Sequence, residues 1–358
     1  MNPKMKPLYC ISKKLLMSNY KRLDSPCKIT FAITYACTFL CKTCNIGKNY
    51  LANPRQTREG ELSYEEIGAI FRKARPSWLQ ITGGEPFMRN VYQILKSITE
   101  NNDELYVAHT TTNGIDTKNI VEQVKKILGL KIPRFVVSIS VDGFEEFHNE
   151  VRGIKGSFDK CLATFFELKK LENRHFNVFI SYTSSPFNMG RIETFIQEMG
   201  KKYGIEPKYI HMNLYHTSSH YFKNTEQQKT EDYNKNVLNE IRAYRRLKKG
   251  NDWKVSFFEN RYSKFVEKFV ETGKSPLPCK ALNSSCFMDP YGNVFPCLVW
   301  TKKLGNIREF DLDLKKLWQD PNVVKMQEDA EALRCPNCWT PCEAYQTIAG
   351  NIGKSLIK

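Results

Sequence analysis

Between residues 28 and 216 the chain alternates six times between β-branched or aromatic runs and amphipathic stretches. "KITFAITYA", "WLQITGG", "ELYVAHTTTNG", "RFVVSISVDG", "NVFISYTSS" and "KYIHMNLYH" read as strands. The segments between them read as helices. "SYEEIGAIFRKA" opens with Ser63 and Glu66 in capping-box spacing and sets Ile67, Ile70, Phe71 and Ala74 on one face. Strands alternating with helices of this length build a parallel sheet. Six units fall short of a closed eight-fold barrel, which leaves a partial barrel or a doubly wound sheet. In either arrangement chemistry gathers at the carboxyl ends of the strands.

Unusual residues sit at those ends. Cys37 follows the first strand; Gly83, Gly84 and Glu85, in "TGGEP", follow the second. Asn113 and Gly114 follow the third, and Ser138, Ser140 and Asp142 lie in and after the fourth. Paired glycines let the backbone approach a ligand closely, and a carboxylate beside them suits an ammonium group. Singly, each is an ordinary βα turn. On one rim, they mark a site.

The chain has twelve cysteines, a 41% hydrophobic composition and no apolar run near the ~18–20 residues of a membrane span. "MNPKMKPLYC" lacks the apolar stretch of a signal peptide. A cytoplasmic location is expected, where thiols stay reduced and serve metals rather than disulfides. Cys37, Cys41 and Cys44 form an early group; Cys279, Cys286, Cys297, Cys335, Cys338 and Cys342 form a late one. Cys10, Cys27 and Cys161 stand alone, and Cys161 reads as a small core residue on a helix. Two groups imply two metal sites on two domains. Three early thiolates leave one position of a four-ligand site unfilled.

Cys-x3-Cys-x2-Cys after a first strand, "TGGEP" after a second and six β/α units together resemble the radical S-adenosylmethionine (SAM) superfamily over residues 28–222. The resemblance implies a partial (β/α)6 TIM-like barrel. It implies a [4Fe–4S] cluster on Cys37, Cys41 and Cys44, with SAM at the open iron. Reductive cleavage would give a 5′-deoxyadenosyl radical that takes hydrogen from a substrate. Gly83, Gly84 and Glu85 would receive the methionine amino group. Asn113 is a further contact on the same rim. Ser140 and Arg152, in "SVDGFEEFHNEVRG", would contact the ribose and the carboxylate; a guanidinium fork matches a carboxylate. Thr43 departs from the pattern, because an aromatic residue often precedes the third cysteine.

The late group resembles the SPASM and twitch auxiliary-cluster domains, through Cys279-x12-Gly292-x4-Cys297 and then Cys335-x2-Cys338-x3-Cys342. The complete SPASM pattern would need a longer cysteine run and one more cysteine, and none follows Cys342. One auxiliary [4Fe–4S] cluster is therefore expected, on Cys279, Cys297, Cys335 and Cys338, with Cys342 or Cys286 able to replace one of them. Four divisions result: an N-terminal extension over 1–27, the radical SAM core over 28–222, a helical bridge over 223–278 and the auxiliary domain over 279–358. The bridge is expected to cover the barrel mouth. His211, Asn213 and Tyr215 alternate onto one strand face and are expected to line the substrate pocket.

The formal charge of +16 favours anionic partners, among them nucleic acid, acidic peptide, phosphorylated metabolite or a membrane surface. The first reading is a radical SAM enzyme acting on a peptide, small molecule or lipid. Its auxiliary cluster would relay an electron or anchor substrate, and a flavodoxin- or ferredoxin-like reductase would supply electrons. The second reading is an RNA-modifying enzyme, and the third a zinc-bound interaction protein without chemistry.

Overall fold

The computed structural model describes residues 5–226, 231–248 and 253–357. The N-terminal helix α1 (Lys6–Met17) precedes a regular alternation of strands and helices: β1 (Lys28–Thr34), α2 (Ile46–Ala52), α3 (Pro54–Arg58), α4 (Tyr64–Ala74), β2 (Trp78–Gly83), α5 (Val91–Asn101), β3 (Val107–Thr112) and α6 (Thr117–Leu128). It continues through β4 (Arg134–Ser140), α7 (Glu146–Arg152), α8 (Ser157–Lys169), β5 (Phe176–Ser184), α9 (Ile192–Tyr203) and β6 (Ile210–Leu214). Two long helices follow, α10 (Glu231–Leu247) and α11 (Trp253–Thr272). The C-terminal part holds β7 (Ser285–Met288), β8 (Asn293–Phe295), β9 (Gly305–Asn306), α12 (Leu314–Trp318), α13 (Pro321–Glu331), α14 (Pro341–Ala349) and α15 (Ile352–Ile357).

All six expected strands and the five helices between them are present. Local chemistry sets their limits. Ser63 accepts from the Glu66 amide while Glu66 accepts from the Ser63 amide, so both ends of the capping box at α4 are closed. Asn90 and Asp116 cap α5 and α6 in the same sense. Up to β6, four helices have no counterpart among the expected elements: α1, the short α2 and α3 after the cysteine loop, and α7.

Strands β1–β6 lie side by side in sequence order, all parallel, as an open sheet. This is the partial α/β barrel. The C-terminal strands do not form a sheet of their own. β7 pairs in parallel with the free edge of β1, from Lys28–Ser285 to Phe31–Met288, and β8 and β9 follow antiparallel.

Strand alternation divides the side chains. Ile29, Phe31, Leu79, Ile81, Val137, Ile139, Val178 and Ile180 join the helices in one continuous apolar core. The opposite face lines the barrel interior, and it is polar. His109 Nε2 lies 2.9 Å from Ser138 Oγ, and Asn213 donates to Ser181 Oγ at 2.5 Å. Gln80 donates to the Cys342 thiol at 3.1 Å. At the floor, buried Lys28 donates to the Cys342 carbonyl and, at 3.2 Å, to Gln346.

The two bridge helices pack beside the sheet. Tyr233 donates to the Ser184 carbonyl, Glu240 accepts from Ser184 and Arg191, and Tyr244 donates to the Ile210 carbonyl. These bonds seat α10 against α9 and the free edge of β6, and α11 packs on α14. Helix α11 also reaches inward, where Glu259 pairs with His211 at 2.6 Å. Residues 227–230 and 249–252 of the bridge lie outside the described residues.

Two outcomes are expected. Gly292 turns between β7 and β8 at φ +84°, and a Cβ there would meet Ile307 at 2.8 Å. Gly292→Ala should therefore cost about 1–3 kcal/mol, seen as a lower urea midpoint. Separately, burial depresses the His109 pKa to about 3. Below about pH 6.5 the unfolded chain takes up a proton that the folded chain refuses, so stability falls with acidification. Urea midpoints at pH 7, 6 and 5 should fall less steeply for His109→Gln, by up to about 1.4 kcal/mol per pH unit. Equal slopes would show that His109 does not titrate this way.

Candidate active site

The cysteine loop begins where β1 ends, and the second strand's turn is zipped onto it. The Gly84 amide donates to the Thr34 carbonyl at 2.8 Å and the Glu85 amide to the Ala36 carbonyl at 2.7 Å. A Cβ on Gly83 would stand 2.1 Å from the Thr34 oxygen; one on Gly84 would stand 2.4 Å from the Ala36 oxygen and 2.9 Å from Cys37 Cβ. The glycine pair thus permits close approach to the Cys37 backbone. The sequence reading had assigned that closeness to a ligand.

Glu85 is 3% exposed and already bonded. Its Oε1 accepts from the Phe87 amide (3.0 Å) and Thr112 hydroxyl (2.8 Å), and its Oε2 from the Asn113 amide (2.6 Å). Burial raises its pKa to about 7 against these donors. The carboxyl joins the turns after β2 and β3, and among the described residues Oε2 accepts from the Asn113 amide alone.

Cys37, Cys41 and Cys44 pack in one cluster with Tyr35, Phe39 and Ile46. Burial pushes the Cys37 thiol up to about 12. Cys41 is drawn down by the hydrogen bond from Cys44, with Arg152 adding to the effect. Arg152 Nη1 lies 3.9 Å from Cys41 Sγ, and its Nη2 lies 2.8 Å from Asp142 Oδ2. Asp142 is held in turn, its carboxylate accepting from the Thr183 amide and its own amide donating to His148 Nδ1. Among the described residues two buried donors on this rim have no partner, Arg152 Nε and Asn113 Nδ2. Ser140, 8% exposed, stands at the end of β4. Cys161 is buried and donates to the Asn113 carbonyl at 2.9 Å.

The late cysteines separate. Cys279, Cys297, Cys335 and Cys338 line one pocket with Ala281 and Trp300. The Ala281 amide donates to Cys279 Sγ at 3.4 Å and the Trp300 amide to Cys297 Sγ at 3.3 Å. A hydrogen bond between the Cys297 and Cys338 thiols lowers Cys338 and raises Cys297. Cys286 lies elsewhere, fully buried in the main core on β7. Cys342 also stands apart, facing Gln80 and packing with the early cysteines' cluster. These two do not share the pocket, because β7 and α14 turn them toward the sheet.

Among the described residues no group of three or more His, Cys, Asp or Glu side chains is arranged to hold a single metal ion.

A strap after β6 joins the two thiol groups, and no motif announced it. The Asn45 amide donates to the Phe222 carbonyl, and Asn224 donates to the Thr43 carbonyl at 2.9 Å. Tyr221 pairs with Thr82 (2.5 Å), while His220 reaches the Cys297 carbonyl (3.1 Å) and stacks on Phe295. His211 is taken by Glu259 (2.6 Å), and Asn224 donates to the Tyr215 hydroxyl. Of the three residues expected along the pocket, His211 and Asn213 face the interior.

Comparison with known proteins matches two separate stretches of the chain. Residues 31–199 match the family model for the Radical SAM superfamily, and residues 279–339 that for the SPASM iron–sulfur cluster-binding domain. The chain is 25% identical over 350 residues to an AdoMet-dependent heme synthase of Methanosarcina barkeri (strain Fusaro / DSM 804), covering 91% of each. It is 25% identical over 182 residues to the sporulation killing factor maturation protein SkfB of Bacillus subtilis (strain 168), covering 49% of this chain and 40% of that one. Among solved structures, native anSMEcpe with bound AdoMet superposes with a TM-score of 0.59 at 16% identity, over 92% of this chain and 96% of that one. Streptococcus suis SuiB bound to S-adenosylmethionine gives 0.57 at 16% identity, over 86% and 68%. These likenesses show the fold. The chain therefore joins a radical SAM domain to a SPASM-type iron–sulfur domain, and it belongs with the radical SAM enzymes.

Proposed function

We propose that Cys37, Cys41 and Cys44 hold the cluster that binds SAM, that Cys279, Cys297, Cys335 and Cys338 hold one auxiliary cluster, and that a polar substrate enters the barrel between them. When bound and reduced, the first cluster supplies the electron that cleaves SAM and so generates the hydrogen-abstracting 5′-deoxyadenosyl radical. The chain's own residues prepare that site. Arg152 Nε and Asn113 Nδ2 are buried donors without partners among the described residues, suited to the carboxylate and hydroxyl oxygens of SAM. Asp142 fixes the Arg152 fork, and Glu85 fixes the turn that carries Asn113. Oε2 of Glu85 keeps room for an ammonium donor.

The polar barrel interior carries the substrate reading. Barrel interiors ordinarily fill with Val, Ile and Leu. Here Gln80, His109, Ser138, Ser181 and Asn213 stand beneath the thiol rim. That lining suits a hydroxylated or amide-bearing group, either a small molecule or a peptide side chain. The AdoMet-dependent heme synthase and SuiB bound to its precursor peptide SuiA represent those two classes among the relatives. Four thiols around the late pocket can ligate an auxiliary cluster fully, which favours electron relay over substrate anchoring. A flavodoxin- or ferredoxin-like reductase would supply the reducing electrons.

Anaerobically reconstituted protein should carry about eight irons, and about four when the three early cysteines become Ala. Cys286→Ser and Cys342→Ser should keep all of them, whereas Cys335→Ala with Cys338→Ala should lose the late four. Iron lost from Cys342→Ser would overturn this ligand set. With dithionite and SAM, the protein should release 5′-deoxyadenosine. Arg152→Ala should raise the KM for SAM by roughly 10- to 150-fold, the loss of a charge-assisted contact of about 1.5–3 kcal/mol. Unchanged SAM binding would remove Arg152 from its assigned role.

A further inference from the structure

Seven of the ten exposed large apolar side chains among the described residues lie on α1, its flanks and α15: Met5, Leu8, Tyr9, Leu16, Tyr20, Ile352 and Leu356. Chance scatter over the surface would not gather them so. Helix α1 buries Pro7 and Ile11 and turns Tyr9, Lys13, Leu16 and Tyr20 outward, at helical spacing. Leu16 is 58% exposed and Tyr20 84%. Helix α15 starts beside the end of α1: Asn19 donates to the Ala349 carbonyl at 3.1 Å and accepts from the Ile352 amide at 3.0 Å. The two apolar faces therefore form one patch.

The charge carried by the two segments themselves has one sign. No Asp or Glu occurs from Met5 to Leu23, where Lys6, Lys13, Lys14, Lys21 and Arg22 lie, and none follows Glu343, where Lys354 lies. Lys6 and Lys14 pair with Asp103 and Glu104, while Lys13, Lys21 and Lys354 stand exposed in the patch. Exposed apolar side chains flanked by lysine match the water–lipid boundary of an anionic membrane. A nucleic-acid surface would present the charge without the apolar stripe.

We propose that α1 and α15 seat the protein peripherally on an anionic lipid surface. No helix among the described residues is long and apolar enough to cross a membrane, so the contact lies in the interface plane. Pro7 and Ile11 face inward, and Ile11 packs with Leu23, Cys27, Trp78 and Val107 at the starting ends of the strands. Docking there leaves the Cys37 rim, at the opposite ends, turned to solvent and open to SAM and a reductase.

The test sediments the full reconstituted chain with vesicles of phosphatidylcholine alone or mixed with phosphatidylglycerol. Binding is expected to the mixed vesicles and to weaken as salt rises. Leu16→Asp with Tyr20→Asp, and separately Lys13→Glu with Lys21→Glu, should each lower partitioning about tenfold. Both pairs alter exposed side chains only, and their 5′-deoxyadenosine formation without vesicles should match wild type. Failure here is thereby separable from failure of the radical SAM reading. Equal binding to neutral vesicles, or wild-type binding by both variants, would overturn the proposal. So would a dimer that Leu16→Asp with Tyr20→Asp dissociates in light scattering, or single-stranded RNA binding in place of vesicle binding.

Discussion

Four residue pairs along β1 and β7, from Lys28–Ser285 to Phe31–Met288, fasten the C-terminal part of the chain to the first strand of the barrel. Everything chemical hangs from that edge. The early thiols extend from the end of β1, and the late ones flank the β7–β8 hairpin and its following helices. A flexible tether would let their separation wander; a shared sheet fixes it. Electron transfer between two sites depends steeply on distance, so a common frame matters more than any single ligand. Ser285 adds a buried contact, donating to Glu343 Oε2 at 2.9 Å, where burial raises the acid's pKa to about 7.

The rim is fixed in a comparable way. Glu85 sits where charge is costly, yet its two oxygens receive two amides and a hydroxyl from separate turns. Such a group specifies position more than it adds stability, since those donors would lose their partner if it moved. The same holds for Asp142, which reaches the Thr183 amide with one oxygen and Arg152 with the other. Together they hold the segments that carry Arg152 Nε and Asn113 Nδ2, buried donors unpaired among the described residues. A site built on hydrogen-bonded turns costs little reorganisation when a cofactor arrives.

Much of the barrel was legible because its signals are local. Strand composition, helical periodicity and the Ser63–Glu66 box act within a few residues, and the elements formed where they point. The motif cysteines were legible for the same reason: three of them share one short loop. The rest depended on long-range packing. Spacing alone left six late thiols competing for four places, and tertiary direction separated Cys286 and Cys342 from the others. The glycine pair was read as serving a ligand when its nearest neighbour is the Thr34–Ala36 backbone. The pairing of β7 with β1 is non-local, and no residue in either strand announces it.

The strap after β6 shows how that non-local packing works. Residues 215–226 hold neither helix nor strand, yet they touch both thiol groups. Asn224 alone bonds the Thr43 carbonyl, the His216 carbonyl and the Tyr215 hydroxyl. A few residues earlier, His220 bonds the Cys297 carbonyl, and burial lowers its pKa to about 4. A neutral imidazole stacked on Phe295 adds no charge between the two thiol groups, and with Tyr35 and Tyr221 it fills the gap with rings. Rings flanking the proposed substrate space suit both halves of the proposed chemistry, because apolar walls shield a reactive radical and hold the two thiol groups at a set separation.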